Sequence, residues 1–167
     1  MKFLEKDLEE IIFNSSREKL SERGLDLKGV IKRQLKIGKY GVSDLVTFDR
    51  VRHLNYYSNP VNRGFIPVYN HYLDITVYEL KKDKISMSAF LQAVRYAKGI
   101  KRFLVKRGFE FEIRLNIHLI GKTIDNKSDF IYLSELFDSV LFSTYDYDID
   151  GIIINDVGNY SLTKEGF

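Results

Sequence analysis

The sequence predicts an α/β protein, and three stretches carry that prediction. Residues 72–81 are rich in aromatic and β-branched residues and read as a strand. Ser86–Lys98 follow with Phe90, Val94 and Ala97 at helical spacing, flanked by Leu91 and Ala93. Residues 109–120, FEFEIRLNIHLI, alternate apolar and polar almost without interruption, the mark of a strand with one buried face.

Taken in order, residues 2–13 form an amphipathic helix through Phe3, Leu4, Leu8, Ile11 and Ile12. Residues 14–29 read as a shorter helix, with Gly24 and Gly29 as stop signals. Residues 30–37 read as a first strand. Gly38 and Gly41 bracket a turn, and residues 42–48 return as its hairpin partner. In that second strand Val42, Asp44, Val46 and Phe48 share one face.

Residues 49–71 hold both prolines of the chain and show no period, so they read as a long connecting loop. Their tyrosines and arginines suit stacking on bases and pairing with phosphates, or simply coverage of the sheet. In the strand that follows, Leu73, Ile75, Val77, Glu79 and Lys81 share a face, so a carboxylate and an ammonium stand at the rim of the core. Ser86 or Ser88 caps the next helix, where Gln92 and Tyr96 lie one turn apart. On the 109–120 strand His118 falls on the solvent side. Residues 129–137 fit strand or helix. Residues 139–154 read as a hairpin turning at Asp150-Gly151, and 155–167 as a tail. A sheet of about four or five strands accommodates this order.

A chain of 167 residues with 44% apolar content is sized for a single domain with its own core. With no cysteine, disulfides and thiolate metal sites are excluded. Three histidines make a histidine-based zinc site a poor expectation. No apolar run approaches the ~20 residues of a membrane helix, and the N-terminus lacks an apolar signal region, so a cytoplasmic protein without membrane partners is expected. The net charge of +3 is unevenly spread. Cations cluster around Lys39 and along the 86–107 region, while 135–156 is acidic. A basic flank beside carboxylates suits a phosphate-backbone ligand. Asp146-x-Asp148-x-Asp150-Gly151 opens like an EF-hand loop, but Val157 stands where a glutamate is required.

The ordered set Gly41, Asp44, Leu45, Val46, then Glu79, Leu80, Lys81, then Gln92 and Tyr96 resembles the PD-(D/E)xK nuclease superfamily over roughly the first two thirds of the chain. Ser43 stands where the family name puts proline. The resemblance implies a restriction-endonuclease-like fold, a mixed β-sheet flanked by helices, with a core over 1–120 and a C-terminal hairpin extension over 121–167. It implies a metal-dependent nuclease hydrolysing phosphodiester bonds with Mg²⁺ or Mn²⁺. Asp44, Glu79 and the Leu80 carbonyl would hold the metal, Lys81 would orient water or neutralise charge, and Gln92 would position water or phosphate. A first-helix glutamate is also implied; Glu5 matches best, and Glu9 is the alternate. Lys39, Arg95, Tyr96, Lys98 and Arg102 would meet nucleic acid, with DNA favoured over RNA, and a homodimer is allowed. The competing class is a nuclease-fold module that binds nucleic acid or protein without catalysis. A third is an interaction factor that uses the acidic hairpin as a nucleic-acid mimic.

Overall fold

A computed structural model describes residues 4–59, 61, 63–125 and 139–157. The chain runs α1 (Glu5–Asn14), α2 (Arg17–Glu22), β1 (Val30–Lys36), a 3-10 turn (Gly38–Tyr40), β2 (Val42–Ser58), β3 (Phe65–Leu80), β4 (Lys84–Ile85), α3 (Met87–Lys106), β5 (Glu112–Gly121), β6 (Thr123–Ile124), β7 (Val140–Asp148) and β8 (Gly151–Asp156). Six strands form one mixed sheet in the order β1-β2-β3-β5-β7-β8, and β4 pairs with β6 beside it. β1, β2 and β3 make an antiparallel meander. α3 then carries the chain across to β5, parallel to β3, and β7 is parallel to β5. The protein is thus mixed α/β, and the β7–β8 hairpin is continuous with the main sheet rather than appended to it.

The sheet is covered on both sides. On one, Phe90, Ala93, Tyr96, Ala97 and Ile100 of α3 pack against Val46, Ile75, Val77, Ile117 and Leu119. On the other, Leu8 and Ile12 of α1 and Leu20 of α2 pack against Leu45, Tyr78, Leu80 and Ile120. β3 therefore feeds both cores at its C-terminal end, and its last four residues are all buried. Each fully buried Leu or Ile contributes about 1.5–3 kcal/mol over exposure.

Local chemistry sets the helix starts. Asp7 reaches back to accept the Leu4 amide at 2.7 Å, and Ser16 caps α2 by accepting the Lys19 amide at 3.2 Å. Ser86 does stand at the cap position of α3, but its hydroxyl pairs with that of Ser88 at 2.8 Å instead of the helix backbone.

Several expectations need correction. Residues 49–71 are not a loop: β2 and β3 pair without a slip from Leu45↔Tyr78 to Ser58↔Phe65. The segment lacks an apolar period because most of it has no buried face. The buried face of α3 is turned from the expected one, leaving Val94 and Leu91 exposed and adding Tyr96 and Ile100 to the core. His118 is not on the solvent side; it is 7% exposed. The polar face of β5 is covered toward its end, where His118 tilts against Tyr78 with ring centroids 5.4 Å apart. His118 Nε2 lies 2.7 Å from Ser143 Oγ, and Ser143 donates to Asp156 Oδ1 at 3.1 Å. With the one hydroxyl proton so used, His118 Nε2 is the donor. Burial pushes its pKa down to about 4. The hairpin turn is Ile149-Asp150, with Gly151 already paired to Asp148. The sheet has six strands, above the expected four or five. Phe3, residues 129–137 and most of the 155–167 tail lie outside the described residues.

Candidate active site

Asp44 and Glu79 meet because of the β2–β3 register. Leu45 lies opposite Tyr78; one step further, the same register sets Asp44 opposite Glu79. Side chains paired this way share a face, here the face that carries α3. Asp44 Oδ2 accepts the Leu80 amide at 3.0 Å, which fixes the carboxylate against the end of β3. Leu80 thus touches the site through its N–H.

Glu79 is only 1% exposed. Its Oε1 accepts Lys81 Nζ at 2.8 Å. Its Oε2 is buried and has no hydrogen-bond partner among the described residues. An orphaned buried carboxylate oxygen is costly. Burial, reinforced by the charge of Asp44, accordingly pushes the Glu79 pKa up to about 7. Asp44 is also raised, chiefly by burial, against the pull of the Leu80 amide and Lys81. Burial works against the Lys81 charge, yet the hydrogen bond to Glu79 and the nearby carboxylates outweigh it and hold its pKa above the usual value.

The first helix delivers its two glutamates differently. Glu5 Oε2 approaches Lys81 Nζ to 3.9 Å and stays partly exposed. Glu9 is buried, and both of its oxygens are taken, one by Arg33 and the other by Gln34. Glu5 is therefore the first-helix carboxylate beside Lys81, and Glu9 anchors β1 instead. Arg33 also reaches Glu10 at 3.3 Å. Gln34 has φ +49°, a left-handed backbone rare for a non-glycine residue, and stands where the β1–β2 register faces Asp44. A cleft of about 690 Å³ opens here, lined among others by Glu5, Arg33, Gln34, Asp44, Lys82 and Asp83. Sequence reasoning missed Arg33, Gln34, Lys82 and Asp83. The one available signal was the loose alternation of residues 30–37, which marks the strand but not the left-handed turn of Gln34.

From α3, Gln92 Nε2 donates to Tyr96 Oη at 2.6 Å. Tyr96 is buried, so its expected role as a nucleic-acid contact conflicts with its position in the core. Its ring packs on Gly41, where an added Cβ would come within 2.9 Å of Tyr96 Cε1, and Gly41 has φ +109°. Gln92 and Tyr96 thereby support the strand that carries Asp44. Arg95, Lys98 and Arg102 lie exposed on α3. Arg102 Nη1 donates to Tyr40 Oη at 2.9 Å. That bond, with the charges of Arg102, Lys39 and Lys98, lowers the Tyr40 pKa, so these cations gather around one ring.

Among the described residues no group of three or more His, Cys, Asp or Glu side chains converges as a ready-made metal site. What the structure brings together is two carboxylates, one with an orphaned oxygen, and an ammonium. Comparison with family models, curated proteins and solved structures finds no match to this chain.

Proposed function

We propose that the protein is a metal-dependent phosphodiesterase of the PD-(D/E)xK type that acts on nucleic acid, DNA before RNA. The observation that carries this reading is the pairing of Asp44 with Glu79, with Lys81 on one oxygen of Glu79 and no hydrogen-bond partner on the other among the described residues. The helix, the three-strand meander and the α3 crossover to a parallel strand agree with the restriction-endonuclease-like arrangement the resemblance implies.

The donor set fits Mg²⁺ or Mn²⁺. Magnesium is commonly held by one or two carboxylates, with water and substrate phosphate completing its shell, so a site short of three protein carboxylates is in character. Asp44 and Glu79 would hold the ion through hard oxygens, and Glu5 stands close enough to Lys81 to adjust the local charge. Such an ion supplies Lewis acidity toward the scissile phosphate and its attacking water. The chain's own groups do the rest. Lys81 keeps Glu79 oriented and offers positive charge where negative charge gathers on the phosphate. Gln92 and Tyr96 brace the Gly41–Asp44 segment. Lys39, Lys98 and Arg102 supply phosphate attraction without base preference.

The test is a cleavage assay on single- and double-stranded DNA and RNA with Mg²⁺, Mn²⁺ or EDTA. Cleavage of at least one substrate with metal, and none with EDTA, is expected. Salt-dependent binding with no cleavage under any metal would replace this reading with the binding-module alternative.

A further inference from the structure

β2 and β3 continue together well past their neighbours. β1 leaves β2 at Phe48, and β5 joins β3 only from Tyr72. Beyond these limits the strands pair only with each other among the described residues, unbroken from Arg52↔His71 to Ser58↔Phe65. At the antiparallel rise, this ribbon projects roughly 24 Å from the sheet. Its end is closed by Asn59, whose amide donates to the Gly64 carbonyl at 2.8 Å and whose carbonyl accepts the Arg63 amide at 3.1 Å.

A two-stranded ribbon has no core of its own and is marginal in water alone. This one nonetheless displays large apolar side chains: Tyr56 is 64% and Phe65 73% exposed, with Tyr57, Ile66, Val68 and Tyr69 also open. Tyr56, Phe65 and Tyr69 share one face and Tyr57, Ile66 and Val68 the other, and large apolar side chains exposed together in this way mark an interaction site. Charge decides the partner. From Arg50 to Leu73 there is no Asp or Glu, while Arg50, Arg52, Arg63, His53 and His71 are present. Alternation in the unbroken register puts Arg50, Arg52, Tyr56, Phe65, Tyr69 and His71 on one face, that of Asp44. There Arg52 lies over the Tyr69 ring at 3.6 Å. A second copy docked on this ribbon would oppose arginine to arginine; a phosphate backbone would not.

We propose that this ribbon is a nucleic-acid-binding arm that lies in a groove of a duplex, its arginines on phosphates and its aromatics on sugars and base edges. A two-stranded ribbon fits the major groove, about 12 Å wide. The inference rests on the reading of the Asp44–Glu79 site as acting on nucleic acid and adds where the substrate runs. Arg52 is eight positions beyond Asp44 on the same face of β2. That separation is roughly 27 Å, and α3, with Arg95, Lys98 and Arg102 exposed on it, covers the face between them, so a duplex touching both would pass over α3.

The experiment compares wild type with the triple variant Arg50→Gln, Arg52→Gln, Arg63→Gln, all exposed positions, by fluorescence anisotropy on a labelled duplex in EDTA across a salt series. A second variant, Tyr56→Ser with Phe65→Ser, tests the aromatic contribution, and both are checked for an unchanged Tm and for mass in solution. The triple variant is expected to bind on the order of 100-fold more weakly, with a salt slope shallower by about 0.9 for each phosphate no longer neutralised. Equal affinity of wild type and both variants overturns the arm while leaving the hydrolytic site standing. So does a wild-type dimer that the variants turn to monomer at unchanged duplex affinity, which would assign the ribbon to self-association. Arm-dependent binding without cleavage by wild type in Mn²⁺ keeps the arm and sinks the hydrolase. A wild type that binds no duplex overturns the arm and leaves the hydrolase to be decided by the cleavage assay, single strands included.

Discussion

At the residue scale, two buried titratable groups pull stability in opposite directions with pH. Glu79 has a folded pKa of about 7 against an ordinary 4.5. The folded protein therefore binds the extra proton between those values, and stability present at low pH is lost as pH rises through them. His118 is the reverse: its folded pKa is about 4 against 6.5. Its unfolded form binds the extra proton, so stability is lost as pH falls through that window. The facing groups differ accordingly: Asp44, Lys81 and Glu5 around Glu79, Asp156 and Ser143 around His118. In EDTA, wild-type stability should be nearly level from pH 5 to about 6.5 because the two slopes offset one another. Glu79→Gln should expose a rise with pH, and His118→Gln a fall, each of up to roughly 3 kcal/mol. Urea denaturation at intervals of pH measures this; identical profiles for the two variants would contradict the burial described for both groups. The Asp44 and Glu79 positions were legible because each belongs to an alternating run of apolar residues. The buried state of His118 was not, because alternation names a face without saying what covers it.

At the scale of elements, the support of the site is as specific as the site. Gly41 immediately precedes β2, at φ +109° under the Tyr96 ring. Gly41→Ala forces a left-handed backbone on alanine and a 2.9 Å approach to Tyr96 Cε1. The expected loss is about 1–3 kcal/mol, with a disproportionate fall in kcat as Asp44 moves. Thermal melts and steady-state kinetics check it; a stable, fully active variant would show that α3 does not brace Asp44. Most elements were readable from period and capping, since α1, β1, α3 and the first half of β5 each turn one face of a regular structure toward the core. The β2–β3 ribbon was unreadable for the same physical reason in reverse. A strand pair exposed on both faces has no reason to alternate, and its Pro67 and asparagines imitate a loop. The choice between Glu5 and Glu9 beside Lys81 could not be closed from the sequence either. It depends on Arg33 and Gln34 arriving from β1 to take both oxygens of Glu9.

For the whole molecule, the proposed substrate path would run from the cleft at Asp44 over the cationic face of α3 to the projecting ribbon. The ribbon face that carries Arg52 and Tyr69 and the helix α3 lie on the Asp44 side of the sheet, the first by strand parity and the second by packing. No helix among the described residues is long and apolar enough to cross a membrane. The central claim is that Asp44, Glu79 and Lys81 form a hydrolytic centre, in which the lysine serves the chemistry and the carboxylates serve the cation. The most direct measurement is the cleavage rate of Lys81→Ala relative to wild type in Mn²⁺ at pH 8, with the Mn²⁺-induced shift in Tm read on the same sample. Losing an electrostatic stabiliser of the reacting phosphate should slow cleavage about 100-fold or more, while the Tm shift persists because both carboxylates remain. Cleavage by Lys81→Ala at the wild-type rate would contradict the account.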